Sequence, residues 1–194
     1  TLFFADAVLD NIDKSIPADS RIEIAFANSK NYLESIKSVC DKNEIDLIVP
    51  SVDEELMQFD SFLNKDVTEV FLPNKDFVRI MLDKYTCAKA IKSTGLSGPK
   101  TFTVARASEI GFPLIVKPKT GRGSRGVRIV NSLKELNAYK ILYPTNEEDL
   151  IVQELAIGTE YTVLVSANKK GQLNAIIPVK VDQKIGITIQ AKID

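Results

Sequence analysis

Between Phe112 and Val130 the chain reads Phe-Pro-Leu-Ile-Val-Lys-Pro-Lys-Thr-Gly-Arg-Gly-Ser-Arg-Gly-Val-Arg-Ile-Val, and this stretch limits the fold most strongly. Leu114, Ile115 and Val116 form an apolar, largely β-branched run that reads as a strand and delivers Lys117 at its end. Gly121, Gly123 and Gly126 then fall within six residues, so the backbone there can take positive φ and turn bare N–H groups toward a ligand. Lys117, Lys119, Arg122 and Arg125 surround them, with Ser124 between. Bare amides among cations suit a polyphosphate, whose oxygens accept charge-assisted hydrogen bonds. The spacing Gly121-x-Gly123-x-x-Gly126 matches a dinucleotide fingerprint by letter, but that fingerprint leads from a strand into a helix. Here it leads into Val127 to Val130, which alternates like a second strand. The expectation is therefore the tip of a β-hairpin folded over phosphates, in the manner of a kinase glycine flap, with a solvated cationic hairpin as the alternative.

The 194 residues suffice for one large or two small domains. With 25 basic and 26 acidic side chains the net charge is -1, so there is no bulk attraction to nucleic acid or to a membrane. No apolar run approaches the ~18 residues of a membrane span, and no signal peptide is legible at Thr1, which predicts a cytoplasmic protein. Cys40 and Cys87 stand apart in helical stretches and read as core thiols. Histidine is absent, which removes Ser-His-Asp and Cys-His nucleophile systems and His-ligated zinc.

Residues 1 to 73 read as part of an α/β domain. Arg21 to Phe26 alternates as a strand, Tyr32 to Asn43 carries apolar residues at helical spacing, and Asp46 to Pro50 reads as a buried strand. Ser51 is the expected cap of a helix through Leu63, and Glu69 to Leu72 is a further strand. Asn74 to Thr94 reads as one helical bridge, with a core stripe of Phe77, Ile80, Met81, Tyr85, Ala88 and Ile91 and with Gly95 closing it. From residue 74 onward the pattern becomes α+β. Pro99 to Val104 is a strand before the hairpin, Ser132-Leu-Lys-Glu135 a capping box for a helix through Leu142, and Leu150 to Leu155 an apolar strand. Segments Glu160 to Ala167, Gln172 to Val181 and Ile185 to Ile193 complete an antiparallel meander.

Several of these elements together resemble the ATP-grasp superfamily, in particular its carbamoyl-phosphate-synthase-like, carboxylate-amine ligase branch. Asp83-Lys84 with Ala88 and Thr94-Gly95 resembles the helix carrying the first nucleotide-binding lysine, and Gly111-Phe-Pro-Leu-Ile-Val-Lys117-Pro the strand carrying the second. The Gly121 to Gly126 loop is similar to the family's phosphate flap. Val152-Gln-Glu-Leu-x-x-Gly158-x-Glu160-Tyr-Thr-Val is similar to its adenine hinge and ribose-binding glutamate, and Asp46 to Glu55 to the end of a Rossmann-like domain that precedes it.

The resemblance implies a Rossmann-like domain over 1–73, incomplete at its start, and an ATP-grasp domain over 74–194 with a glycine-rich flap. It implies ATP as ligand, held by Lys84, Lys117, Lys119, Gly121, Arg122, Gly123, Ser124, Arg125, Gly126, Glu154, Leu155, Ala156 and Glu160. Lysines on separate elements would grip phosphate from two sides, the backbone of Glu154 to Ala156 would read adenine, and Glu160 would accept two ribose hydroxyls. The implied reaction is ADP-forming activation of a carboxylate as an acylphosphate for attack by an amine or ammonia. Its partners would be small carboxylate and amine substrates, with neither nucleic acid nor membrane, and a homodimer is compatible with it. The family's magnesium ligands, an acidic residue and a later Glu-x-Asn, do not follow Asp182, so they are expected beyond Asp194 and the 194 residues alone are expected to be inactive. A regulatory nucleotide-binding module without catalysis is the alternative. A nucleic-acid binder using Arg122, Arg125 and Arg128 would lack interleaved aromatics for base stacking.

Overall fold

The computed structural model describes residues 1–61, 68–168 and 170–193, and the chain divides into two compact units, Thr1–Met81 and Leu82–Asp194. In the first unit, β1 (Phe4–Asp6) and β2 (Arg21–Glu23) pair in parallel. Helix α1 (Tyr32–Asn43) follows, with Tyr32, Ile36 and Cys40 buried because four-residue steps keep them on one face. The helix stops where Glu44 turns left-handed (φ 51) and its N–H reaches back to the Cys40 carbonyl. Ile24 and Phe59 complete this core, the Phe59 ring meeting Tyr32 edge-on at 6.0 Å.

Three expectations over residues 46–94 need correction. The stretch read as a buried strand, Asp46 to Pro50, supplies only β3 (Leu47–Ile48), and Leu47 and Val49 are 51% and 64% exposed. Its sheet among the described residues is a two-stranded parallel pair with β4 (Glu69–Val70), which cannot cover both faces of an apolar run. Helix α2 (Asp53–Leu56) is a single turn with Val52 at the cap position. Ser51 instead donates its backbone N–H to the Glu55 carboxylate, 3.3 Å away. A 3-10 turn at Gln58–Ser61 follows, and Leu63, the expected helix end, lies outside the described residues.

The third correction concerns the helical bridge, which is two helices, α3 (Lys75–Leu82) and α4 (Lys84–Ser93). Asp83 between them is extended (φ -99, ψ 110) and its carboxylate accepts the Thr86 N–H at 2.7 Å. A short acidic side chain satisfies a free helix N–H better than it continues the preceding helix. The stripe read as core is not a buried one: Phe77, Met81 and Ile91 are exposed and Ile80, Tyr85 and Ala88 half-buried, while the residue α3 does bury, Val78, lies outside the stripe. Gly95 follows α4 at φ 81 and its N–H bonds the Lys92 carbonyl, as the closing glycine should.

Among the described residues, the second unit holds two antiparallel sheets. Strands β5 (Thr101–Thr103), β6 (Leu114–Pro118), β7 (Arg128–Val130) and β8 (Leu150–Glu154) pair in the order β5-β8-β6-β7. The uninterrupted apolar run Leu150-Ile-Val152 fits an inner strand, and all three side chains are buried. Helix α5 (Leu133–Leu142) adds Leu136 and Tyr139 to the core formed by Leu114, Val116, Val130, Leu150 and Val152. It starts at the expected box: Ser132 Oγ accepts the Glu135 N–H at 3.2 Å, while the Glu135 carboxylate accepts the Asn131 N–H at 2.8 Å.

Strands β9 (Tyr161–Ala167), β10 (Leu173–Ile185) and β11 (Ile187–Ile193) form the meander. The expected break between Val181 and Ile185 is absent. β10 runs on to Ile185 and turns at Gly186 (φ 72), with its register against β11 slipping between Val181 and Lys184. A bulge thus absorbs the residues that break the alternation. Of the two expected core thiols, Cys40 is buried and Cys87 half-buried, and neither forms a disulfide. Among the described residues, no helix is long and apolar enough to cross a membrane.

Candidate functional site

The antiparallel pairing of β6 with β7, Leu114 opposite Val130 and Val116 opposite Arg128, makes the glycine segment the loop of a hairpin. Gly121, Gly123, Ser124 and Gly126 all take positive φ (95, 65, 55 and 70). The exit of the loop is clamped from α5. Tyr139 donates its hydroxyl to the Gly126 carbonyl at 2.6 Å, and its ring stacks on Tyr143 with centroids 5.2 Å apart. Burial, and then the neighbouring Tyr143, push the Tyr139 pKa up to about 12, so the hydroxyl keeps its proton. Tyr143 lies so close that a Cβ at Gly126 would come within 2.5 Å of its Oη. The tip is held by the turn after β10, where Ser124 Oγ donates to the Gly186 carbonyl at 2.9 Å. A Cβ on Gly186 would meet the Gly123 carbonyl oxygen at 2.7 Å.

Beside this loop lies a cavity of about 350 Å³ walled by Lys84, Lys117, Gly121, Arg122, Gly123, Ser124, Arg125 and Lys184, together with Ile115, Pro118 and Val127. Lys84 opens α4 with its backbone N–H on the Lys119 carbonyl at 2.8 Å. Its Nζ donates to the Gly121 carbonyl at 2.6 Å. Lys117 is the last residue but one of β6, and its Nζ donates to Gln153 Oε1 at 2.7 Å, while Gln153 Nε2 donates to Thr101 Oγ1 at 2.8 Å. A row of side chains across β6, β8 and β5 thereby sets the direction of the ammonium. Burial, then the charges of Lys84 and Lys184, lower the Lys117 pKa below the ordinary lysine value. A concave wall of cations that repel one another is stabilised by an anion. A larger cavity of about 900 Å³ lies in the first unit, but no lysine or arginine lines it, so the anion chemistry belongs to the smaller one.

Of the sequence-predicted residues, the cavity gathers Lys84, Lys117, Gly121, Arg122, Gly123, Ser124 and Arg125. Lys119, Gly126, Glu154, Leu155, Ala156 and Glu160 lie outside its wall. Lys119 acts through its backbone, donating to the Asp149 carbonyl at 2.8 Å and accepting from Lys84. Glu154 exchanges bonds with Lys100: its N–H donates to the Lys100 carbonyl at 2.9 Å, and its carboxylate accepts the Lys100 N–H at 3.1 Å. The Glu154 N–H is thus already engaged, and Leu155 and Ala156 lie past the last paired residue of β8. Glu160 is ion-paired with Lys184. Lys184, Gln153, Tyr139 and Tyr143 were not legible as site residues. The one signal for Lys184 is the broken alternation at 182–184, which marks a bulge.

Among the described residues, no three His, Cys, Asp or Glu side chains converge to hold a metal ion. Asp182, the strand carboxylate nearest in sequence to the cations, is paired with Lys192 at 2.9 Å.

Comparison with known proteins bears on the fold and the family. The chain is 37% identical over 70 residues to biotin carboxylase of Haemophilus influenzae, covering 31% of this chain and 16% of that protein. It is 32% identical over 87 residues to D-alanine–D-alanine ligase of Alcanivorax borkumensis, covering 44% of this chain and 28% of that one. The matches thus span less than a third of either relative. Among solved structures, the biotin carboxylase domain dimer of Hydrogenobacter thermophilus 2-oxoglutarate carboxylase, in complex with MgADP, ADP and bicarbonate, superposes with a TM-score of 0.63. Identity there is 18%, over 86% of this chain and 42% of that one, a likeness of fold alone. The family profile of the ATP-grasp domain matches residues 81–185, more than half of the chain and the whole of the cationic cavity. The chain belongs to the ATP-grasp family.

Proposed function

We propose that this chain binds ATP with its phosphates in the cavity between Lys84, Lys117, Lys184 and the Gly121–Gly126 loop, as part of an ADP-forming carboxylate-amine ligase. The observation that carries the reading is the convergence of lysines from α4, β6 and β10 on a loop whose backbone is left-handed at four positions. Lys84 and Lys117 arrive from separately anchored elements and are held by Gly121 and Gln153, so these two charges are positioned before the ligand comes and little ordering of them is left to its binding. Leu155 and Ala156 would meet the adenine edge, and Glu160 the ribose.

In the ligase reaction these residues hold the terminal phosphoryl group in place and neutralise charge as it passes to a carboxylate oxygen. An amine then displaces phosphate from the acylphosphate. No side-chain nucleophile is required, in keeping with the absence of histidine. One relative is by name a ligase of D-alanine to D-alanine and another a biotin carboxylase, which supports this reaction class over others. Magnesium and a homodimer belong to the same proposal, the former with ligands outside the residues described here.

The test is calorimetric titration with ATP. The wild-type chain should bind it. Lys117→Ala, which removes one charge-assisted bond of about 1.5–3 kcal/mol, should weaken it roughly tenfold to a hundredfold. Equal affinity in the two proteins overturns the phosphate assignment. ADP release by the full-length protein against mixed carboxylate and amine pools tests the ligase step, and binding without turnover there favours a regulatory module.

A further inference from the structure

Lys184 stands in both halves of the site. It walls the cavity with Lys84 and Lys117, and its ammonium is paired with the Glu160 carboxylate, which lies outside that cavity. The backbone accounts for this reach. β9 and β10 stay paired as far as Tyr161 opposite Lys180, and the Val181 N–H donates to the Glu160 carbonyl at 3.0 Å. Beyond that point the register of β10 against β11 slips twice, at Val181/Gln183 and Gln183/Lys184. A bulge bends its strand and re-aims the side chains in it. Asp182, inside the bulge, is tied across to Lys192 at 2.9 Å, and Lys184 is left facing the start of β9, where Glu160 sits. Glu160 is thus an anion that offsets one of three mutually repelling lysines.

We propose that Lys184 couples the two ends of the nucleotide site: it holds the Glu160 carboxylate until an oligophosphate in the cavity draws its ammonium away and frees both Glu160 oxygens for the ribose hydroxyls. This rests on the ATP-binding reading above. By linkage, phosphate in the cavity strengthens ribose binding and ribose strengthens phosphate binding by one factor. The pair is partly exposed, 39% at Lys184 and 54% at Glu160, so that factor is about 1.5- to fivefold. Lys184 is then a positioning residue for ribose recognition, and Glu160 answers to occupancy of a cavity it does not line.

The experiment is titration of the chain with adenosine, with inorganic tripolyphosphate and with ATP, in wild type, Lys184→Met and Lys184→Arg. In wild type, saturating tripolyphosphate should tighten adenosine about 1.5- to fivefold. Lys184→Met should tighten adenosine by the same factor with no tripolyphosphate present, abolish the coupling and weaken ATP. Lys184→Arg should keep the wild-type pattern. A side chain with only a structural role would move adenosine and ATP affinity in the same direction, and that result, or no change in either, overturns the proposal. Lys184→Gln replaces the methionine variant if the latter does not fold. Wild type that binds neither adenosine nor ATP removes the nucleotide reading and this inference with it. Wild type that binds ATP, yet whose adenosine affinity ignores tripolyphosphate, removes this inference alone.

Discussion

Replacing Gly126 by alanine tests how the loop is clamped, because two separable costs meet there. The first is conformational: at φ 70 an L-residue bears about 1–2 kcal/mol that glycine does not. The second is steric. The new Cβ would sit 2.5 Å from Tyr143 Oη and 2.6 Å from its Cζ, and Tyr143 is stacked on Tyr139, so the ring cannot withdraw without disturbing a second one. Overpacking of this kind costs about 1–3 kcal/mol, so Gly126→Ala should lose about 2–5 kcal/mol in all. Gly121→Ala is the control. It shares the positive φ (95), but its Cβ would meet nothing within 4 Å, so only the conformational cost of about 1–2 kcal/mol applies. Urea unfolding followed by tyrosine fluorescence serves as the assay, since the chain has no tryptophan and Tyr139 and Tyr143 report on the clamp. Tyr143→Leu should relieve part of the loss at Gly126 and none at Gly121, giving a coupling energy of about 1 kcal/mol or more for the first pair. Equal losses at Gly126 and Gly121, or no coupling to Tyr143, would refute the clamp.

Lys117 should leave a mark on the pH dependence of stability. Its folded-state pKa lies below the ordinary 10.5, so the unfolded chain binds more protons between those two values. Stability should therefore rise with pH across that window, and Lys117→Met should remove that rise from urea midpoints. Gly186→Ala places a Cβ 2.7 Å from the Gly123 carbonyl oxygen and should lift the β10–β11 turn off the loop tip, seen as faster amide hydrogen exchange at 121–125. In wild type, exchange over 119–126 should slow when a non-hydrolysable ATP analogue binds, and equal exchange in both states would favour a solvated hairpin. Ser132→Ala removes the acceptor for the Glu135 N–H and should cost about 1 kcal/mol by urea unfolding.

What the sequence by itself determined is local. Helix α1, the Ser132 box, the β6–β7 hairpin and the glycine loop with its cations each depend on periodicity, caps or turn chemistry within ~10–20 residues, and those forces act wherever the segment is placed. The Asp83 cap was equally available to a reading of the sequence, yet an apolar stripe on both sides of it hid the break. Composition also bounded the chemistry, since a chain without histidine has no Ser-His-Asp or Cys-His nucleophile system and no His-ligated zinc. Tertiary structure alone decided which distant residues share a wall. Gln153 aims Lys117 because β8 pairs with β6, Tyr143 packs on Gly126 because α5 returns past the hairpin, and Lys184 reaches Glu160 because β10 bulges. Burial was decided there as well: the apolar run around Leu47 has the composition of a covered strand, but coverage belongs to the neighbours, and among the described residues its sheet has only two strands. Pairing partners, bulges and cover depend on contacts far apart in the chain, and a one-residue slip in register moves a side chain to the opposite face, so no local pattern specifies them.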